Sequence, residues 1–363
     1  MPDGRIEGNH GRPAPETEIR ITALHALRGA NFWSQRPVTR MDLVVGRYDD
    51  ISSADVPGVA SALERAMPDL IEHRCSVGER GGFLKRLRTG TYAPHIIEHV
   101  ALELQAMAGC DVGYGKTRGG DEPGEYTLVF EHCHSNAGLR AAALALEVVQ
   151  RAFAGTLDSV DYAVRELAAL LKTPDTPPLR QRILCAITGG GPRHETREEM
   201  LRRGLSDGEL VVDVAPGYLL HAGLPYSRSD MAIILDTDLS DVPDRYRDEE
   251  RARQLVGVVA DAVVRDGVVV VPAKEWELQD YARERECRVV IFAPDDDITR
   301  RDQRVSRAQG LVRDGRIVLE SFDRTCDAGA VREDAPVAAQ VAAALAMFTL
   351  EELHPDTCLP AKR

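Results

Sequence analysis

The chain has 363 residues, 44% of them hydrophobic and 28% charged, with a formal net charge of −13. That composition belongs to a globular protein long enough to build two cores. The acidic surplus excludes a broad electrostatic grip on nucleic acid or on an anionic membrane.

In chain order, residues 1–18 are Gly, Pro and charge without periodicity and read as a disordered tail. A strand is expected over 41–45, a helix over 56–67, a glycine-rich loop over 76–82, a helix over 93–107 and a strand over 126–130. Helices over 137–154 and 159–171 follow, so residues 19–172 form a small α+β sandwich domain. The Pro-rich stretch 173–181 is a linker. Residues 182–355 then carry apolar runs at 183–187, 209–214, 231–235, 267–271 and 289–292 between helical stretches, the βαβ rhythm of a doubly wound, mostly parallel sheet. A tail, 356–363, closes the chain, and the fold class is α/β. Seven cysteines, at 75, 110, 133, 185, 287, 326 and 358, are odd in number and form no Cys-x-x-Cys pair. They point to a reducing compartment and away from a disulfide frame. There is no signal-like apolar run at the N-terminus, and the expected location is cytoplasmic.

His95-Ile96-Ile97-Glu98-His99 is the stretch richest in chemistry. An α-helix turns about 100° per residue, so the two imidazoles share a face with the carboxylate beside them. Zinc peptidases use this spacing, with the histidines as ligands and the glutamate as general base. The expected site is therefore Zn on His95 and His99, with Glu98 as the catalytic base. Glu103, one turn on, is the nearest third ligand, and His73 or Glu72 could fold over from the upstream loop. A half-exposed helix face would carry the same residues with no metal at all.

Cys75, flanked by His73 and Arg74, reads either as a nucleophile or as part of a substrate-binding loop. Gly115-Lys116-Thr117 fails as a phosphate loop because Cys110 stands where the first glycine belongs, which leaves Lys116 and Arg118 as contacts for substrate anions. His132 and His134 would share one strand face with Cys133 turned away, and a surface strand end is favoured over a metal cluster there.

Four motifs in order, LRGANFWS (27–34), EHRCSVGERGGFLKRL (72–87), GTYAPHIIEHVALELQ (90–105) and GYGKTRGG (113–120), resemble the N-terminal domain of cyanophycin synthetase. That family makes a polymer with an aspartate backbone and arginine side chains. The resemblance implies a polymer-handling domain, which in some members has a metal-dependent activity that cuts the polymer into primers. It thus gives His95, Glu98 and His99 a hydrolytic role. For such a polymer, Arg74, Ser76, Arg80, Gly81 and Gly82, with Lys85, Arg86, Lys116 and Arg118, would hold aspartyl carboxylates through guanidinium, ammonium and backbone N–H groups; a tight turn with solvated cations is the equal alternative for the 74–86 loop.

CAITGGGPRHE (185–195) resembles the nucleotide loop of the same synthetase's Mur-ligase-like domain, which reads Thr-Gly-Thr-Asn-Gly-Lys-Thr-Thr in the family. Here Arg193 stands at the lysine, and His194 and Glu195 stand at the hydroxyls. Downstream, Asp213 and Asp241 match the family, Val242 replaces a histidine, and Pro272-Ala273-Lys274-Glu275 replaces a nucleotide contact. The implication is a degenerate Mur-ligase-like domain that uses no ATP, reached with no ATP-grasp domain between. The acidic run Asp295-Asp296-Asp297 could attract arginine side chains or be a solvated surface. The expected function is a metal-dependent hydrolase of cyanophycin or a related Asp/Arg isopeptide-branched peptide. The alternative is a non-catalytic polymer-binding or regulatory pseudo-synthetase. Expected partners are that polymer and further copies of the chain, with no nucleic acid and no membrane.

Overall fold

The computed structural model describes residues 13–175, 179–205, 210–295, 306–321 and 324–353. Most of the expected N-terminal tail, all of the C-terminal tail, the middle of the linker, and Asp296 and Asp297 lie outside the described residues. The chain divides into two compact units, Met1–Ala26 with Pro37–Thr176 and Leu27–Arg36 with Pro177–Arg363. Residues 27–36, expected in the first domain, therefore group with the second unit. The Asn31 side chain ties this segment together. Its oxygen accepts from the Trp33 and Ser34 amides, and its nitrogen donates to the Gly29 and Arg36 carbonyls.

The first unit is built on an antiparallel sheet in the order β1-β2-β4-β3, from Arg20–Leu27, Val38–Val44, Gly115–Gly119 (β3) and Glu125–Glu131 (β4). Its helices are α1 (Pro15–Glu18), α2 (Val59–Ala66), α3 (Gly82–Thr89), α4 (Ala93–Met107), α5 (Ser135–Ala154) and α6 (Asp161–Leu170). Helices α4 and α5 pack on each other and on β2, β3 and β4. Pro94 pre-sets the first turn of α4, and Gly109, at φ 103°, lets the chain leave it in a left-handed conformation. Ile96, Ile97, Val100, Ala101 and Leu104 are fully buried, and Glu98, His99 and Glu103 are nearly so. The half-exposed helix face that would explain these polar residues without function is thus absent: α4 is a core helix. Burying two carboxyls and an imidazole there needs partners inside the protein.

The second unit is an eight-stranded sheet, β12-β11-β10-β9-β8-β7-β5-β6. Its strands are β5 (Arg180–Thr188), β6 (Val211–Asp213), β7 (Tyr226–Ile234), β8 (Val263–Pro272), β9 (Arg288–Phe292), β10 (Ala308–Arg313), β11 (Arg316–Ser321) and β12 (Thr325–Ala330). The six from β6 to β10 run parallel. Between them lie α7 (Arg193–Arg202), α8 (Pro216–Ala222), α9 (Glu249–Asp261) and α10 (Trp276–Glu284), and α11 (Val337–Leu353) ends the described chain. This is the expected α/β class, a mostly parallel sheet after a small sandwich. The addition is an antiparallel extension, β10-β11-β12, whose first hairpin turns at Asp314-Gly315, both at positive φ. No helix of the described residues is long and apolar enough to cross a membrane.

The cysteine reading needs correction. Cys110 and Cys133 form a disulfide, while Cys75, Cys185, Cys287 and Cys326 are free. An odd count and scattered spacing say nothing about which pair the fold brings together. His132 and His134 are also not on a surface strand end. Both are buried, β4 stops at Glu131, and His134 caps α5 by accepting from the Ala137 amide. His132 bonds Thr39 at 3.0 Å instead of converging with His134 on a metal.

Candidate functional site

One face of α4 opens on a cavity of about 900 Å³. From α4 come His95, Glu98, His99 and Glu103. The turn before α3 adds His73, Arg74, Cys75 and Ser76, α3 adds Arg86, and the segment entering β3 adds Gly113 to Thr117. The cavity lies wholly within the first unit.

Its polar groups form three sets. In the first, His99 Nδ1 meets His73 Nδ1 at 2.8 Å, and His73 Nε2 meets Glu103 Oε2 at 2.9 Å. A carboxylate can only accept, so His73 donates from Nε2 to Glu103. Phe83 stacks on the His99 ring at 4.0 Å and fixes its plane. In the second, His95 stands between the Thr91 hydroxyl, 2.8 Å from Nδ1, and the Cys75 sulfur, 3.2 Å from Nε2. Cys75 itself sits at φ 53°, a conformation a non-glycine residue adopts only when its surroundings enforce it. In the third, the Thr117 hydroxyl donates to Glu98 Oε2 at 2.5 Å. A Cβ on Gly115 would lie 2.6 Å from Glu98 Oε1 and 2.8 Å from its Cγ, so only glycine lets this carboxyl rest on β3.

Burial sets the charges. It pushes the Glu98 carboxyl up to about 7, against the lowering effects of the Thr117 bond and of His73. Burial, with the Arg86 charge adding to it, brings His95 down to about 4. His99 falls to about 2, through burial first and then its cationic and imidazole neighbours. Both α4 histidines are therefore neutral near pH 7, and Glu98 is poised between its two forms.

The cavity gathers only part of the expected site. Arg74, Ser76 and Lys116 line it, as does Arg86, which donates to Ser76 Oγ at 2.9 Å. Arg80 does not; it forms an exposed ion pair with Glu72. Lys85 pairs with Glu79 outside the cavity. Gly81, at φ 77°, and Gly82 start α3, so their role is to turn the chain. Arg118 lies in β3 outside the cavity lining, near enough to Tyr114 to lower its pKa against burial. Glu103, expected as a third metal ligand, is turned to His73. Among the described residues, the metal-type donors that converge are Cys75, His95 and His99, with ligand atoms within 4.8 Å of one another. Sequence reasoning missed Thr91, Thr117 and Gly115, because short polar residues and a lone glycine carry no signal until the fold shows what they touch.

A second candidate lies in the second unit, where the loop Gly189-Gly190-Gly191 leaves β5 for α7. Strand order there reverses between β5 and its neighbours β6 and β7, the usual ligand crevice of such sheets. Asp236, just past β7, fills it: the Gly190 amide donates to Asp236 Oδ1 at 2.7 Å, and a Cβ on Gly191 would lie 2.3 Å from Oδ2. Arg193 turns back onto the Gly189 carbonyl. Asp241, matched to the family from sequence, accepts from the Gly217 amide at 2.9 Å.

The first unit is thus a small α+β domain built around a buried, polar, histidine-lined cavity. Residues 40–154, which hold every residue lining that cavity, match the family model of the cyanophycin synthase-like N-terminal domain. The chain is 42% identical over 183 residues to the cyanophycin synthetase of a Synechocystis species, covering 49% of this chain and 19% of that protein. It is 41% identical over 154 residues to the cyanophycin synthetase of Crocosphaera subtropica, covering 41% of this chain and 17% of that protein. The chain therefore spans about a fifth of the length of these relatives. Among solved structures, it is similar to a UDP-N-acetylmuramoylalanyl-D-glutamyl-2,6-diaminopimelate–D-alanyl-D-alanyl ligase from Acinetobacter baumannii (12% identity, 46% of this chain, 43% of that one, TM-score 0.30). A crystal structure of MurF from that organism gives a TM-score of 0.32 at 12% identity, over 64% of this chain and 49% of that one. Those likenesses are too slight to assign the second unit, whose class rests on its own strand order.

The resemblance read from the four motifs holds, but the function drawn from it does not. The relatives are named cyanophycin synthetases, and that name speaks against the expected metal-dependent hydrolase. The expectation of no ATP conflicts with the same synthetase names. Of the expected zinc ligands, His95 and His99 converge with Cys75, while Glu103 is hydrogen-bonded to His73.

Proposed function

We propose that the chain works on the building side of a cyanophycin-type polymer, with the first-unit cavity holding an aspartate/arginine peptide. The observation that carries this reading is the double charge of the cavity, which lies in the stretch similar to the synthetase domain. Arg74, Arg86 and Lys116 offer cations to aspartyl carboxylates, and Asp69 and Glu98 offer acids to a guanidinium. Leu102, Ala106 and Met107 give the arginine stem an apolar wall.

A single-charge ligand would satisfy only half of such a lining and leave the other half desolvated. A peptide carrying both charges should therefore bind more tightly than either part. Titration calorimetry with a short aspartate-backbone, arginine-branched peptide tests this, with free arginine and oligo-aspartate as controls. The peptide should bind at least about tenfold more tightly than either control, and Arg74→Ala should remove about tenfold of its affinity. Binding no tighter than arginine alone, or shortening of the peptide by mass spectrometry during the titration, would sink the reading.

A further inference from the structure

The cavity wall that runs from Val112 into β3 is held by a clamp, one member of which is a redox bond. Cys110 follows the end of α4 and Cys133 follows the end of β4, and the disulfide between them closes a span of 23 residues with a Cα–Cα distance of 5.8 Å. Gln105 on α4 accepts from the Cys110 amide at 2.9 Å and donates to the Glu131 carbonyl at 3.0 Å. The Glu131 carboxylate accepts from the Gly113 and Tyr114 amides at 3.0 and 3.2 Å, and its own amide donates to the Tyr114 carbonyl at 2.9 Å. Residues 111–114 have no regular secondary structure. This clamp holds them at the cavity wall just before β3, whose pairing with β4 then carries Gly115 and Thr117 onto Glu98.

We infer that the cavity is redox-gated: reduction of Cys110–Cys133 releases the 111–114 wall and weakens peptide binding. The inference rests on the cavity being the peptide site. The two sulfurs are not equivalent, because Cys133 is exposed and Cys110 is buried. A thiolate of a dithiol reductant therefore attacks Cys133 Sγ, and Cys110 Sγ leaves with the bond electrons and takes up a proton. The second thiol of the reductant then attacks its own sulfur in the mixed disulfide and releases Cys133 as a thiol. The reductant ends as a disulfide and the protein as two thiols, with two electrons and two protons transferred and no other reactant needed.

The experiment compares the full chain oxidised, reduced with dithiothreitol, and as Cys133→Ser, a substitution at an exposed position that leaves the core intact and opens the clamp without reductant. Alkylation after unfolding should leave Cys110 and Cys133 unlabelled until reduction. Amide hydrogen exchange over 111–117 should be about tenfold faster in the reduced and Cys133→Ser proteins than in the oxidised one. The aspartate/arginine peptide should bind about fivefold more weakly to both. Labelling of both cysteines without reduction, equal exchange in the two states, or equal peptide affinity despite faster exchange would each overturn the gate. If the peptide binds neither state, the cavity's proposed ligand is wrong, and the clamp still stands or falls on the exchange rates.

Discussion

The cavity on α4 and the crevice beyond β5 and β7 differ in what occupies them. In the second unit, the topology itself makes a ligand place: a glycine loop, a helix start and a change of strand direction. Asp236 closes it by giving the Gly190 amide an internal anion. In the first unit the topology makes nothing special. The cavity exists because α4 sets His95, Glu98, His99 and Glu103 on one buried side, where His73, Cys75, Thr91 and Thr117 supply their partners. A generic crevice can be satisfied by its own side chains, whereas a cavity built from buried ionisable groups keeps some of their bonding capacity for a ligand.

The sharpest way to break this contrast is to fill the space that glycine leaves. Gly115→Ala places a methyl 2.6 to 2.9 Å from three Glu98 atoms, including its Cγ, which is not a free end that can swing away. Overpacking of this kind costs about 1–3 kcal/mol, and here it also disturbs the Thr117 bond, so a loss of about 3 kcal/mol is expected in denaturant unfolding. Adding Glu98→Ala should recover much of that loss, because the clashing partner is gone. A Gly115→Ala protein as stable as its parent would mean that Glu98 does not rest on β3.

The next effect is electrostatic. Glu98 holds its proton in the folded state up to about pH 7 but gives it up near 4.5 when unfolded. Between those values the folded state binds more protons, so its stability falls as pH rises through the window, by roughly 2–3 kcal/mol. His95 and His99 act the other way: their folded values lie far below 6.5, and the stability they allow is lost as pH falls below it. Glu98→Gln removes only the first contribution. Variant minus parent, the unfolding free energy should rise by roughly 2–3 kcal/mol from pH 5 to pH 8. A flat difference across that range would show that Glu98 ionises as a solvated carboxyl does.

Much of this was legible in the sequence where the signal was local. Helix α4 has its expected bounds, 93–107, because Pro94, five apolar residues at helical spacing and Gly109 all agree. The strands β5, β7, β8 and β9 stand out as short apolar runs of the kind a two-faced parallel sheet buries. β3 was missed because GKTRG has a glycine at each end and one β-branched residue. The antiparallel β10-β11-β12 extension escaped although its Asp314-Gly315 turn is a hairpin signal. At the site, helical spacing put His95, Glu98 and His99 on one face. It could not supply His73, whose bond to His99 spans 26 positions, or Thr117, 19 positions from Glu98. Glu103 has the right spacing for a ligand and a different partner, which only packing decides.

The filled crevice can be tested by emptying it. Asp236→Ala removes the acceptor of the Gly190 and Asp238 amides, at a cost of about 1 kcal/mol. The two amides, one in the loop before α7 and one in the segment after β7, then lack that partner. Added inorganic phosphate should raise the melting temperature of the variant more than that of the parent. Equal shifts would mean that Asp236 fills a gap in the packing and is not standing in for an anion.

The smallest effect separates two arginines that the sequence could not tell apart. Arg74 lines the cavity, while Arg80 does not and is engaged in an ion pair with Glu72 in which both side chains are more than half exposed. Such pairs are screened by solvent and add little. Arg80→Ala should leave both unfolding stability and peptide affinity unchanged within error, even as Arg74→Ala weakens binding. If instead Arg80→Ala weakens binding as much as Arg74→Ala, the peptide extends past the cavity rim onto the 72–82 loop. The recognition surface would then be the glycine-rich segment as a whole, and α4 would supply only its floor.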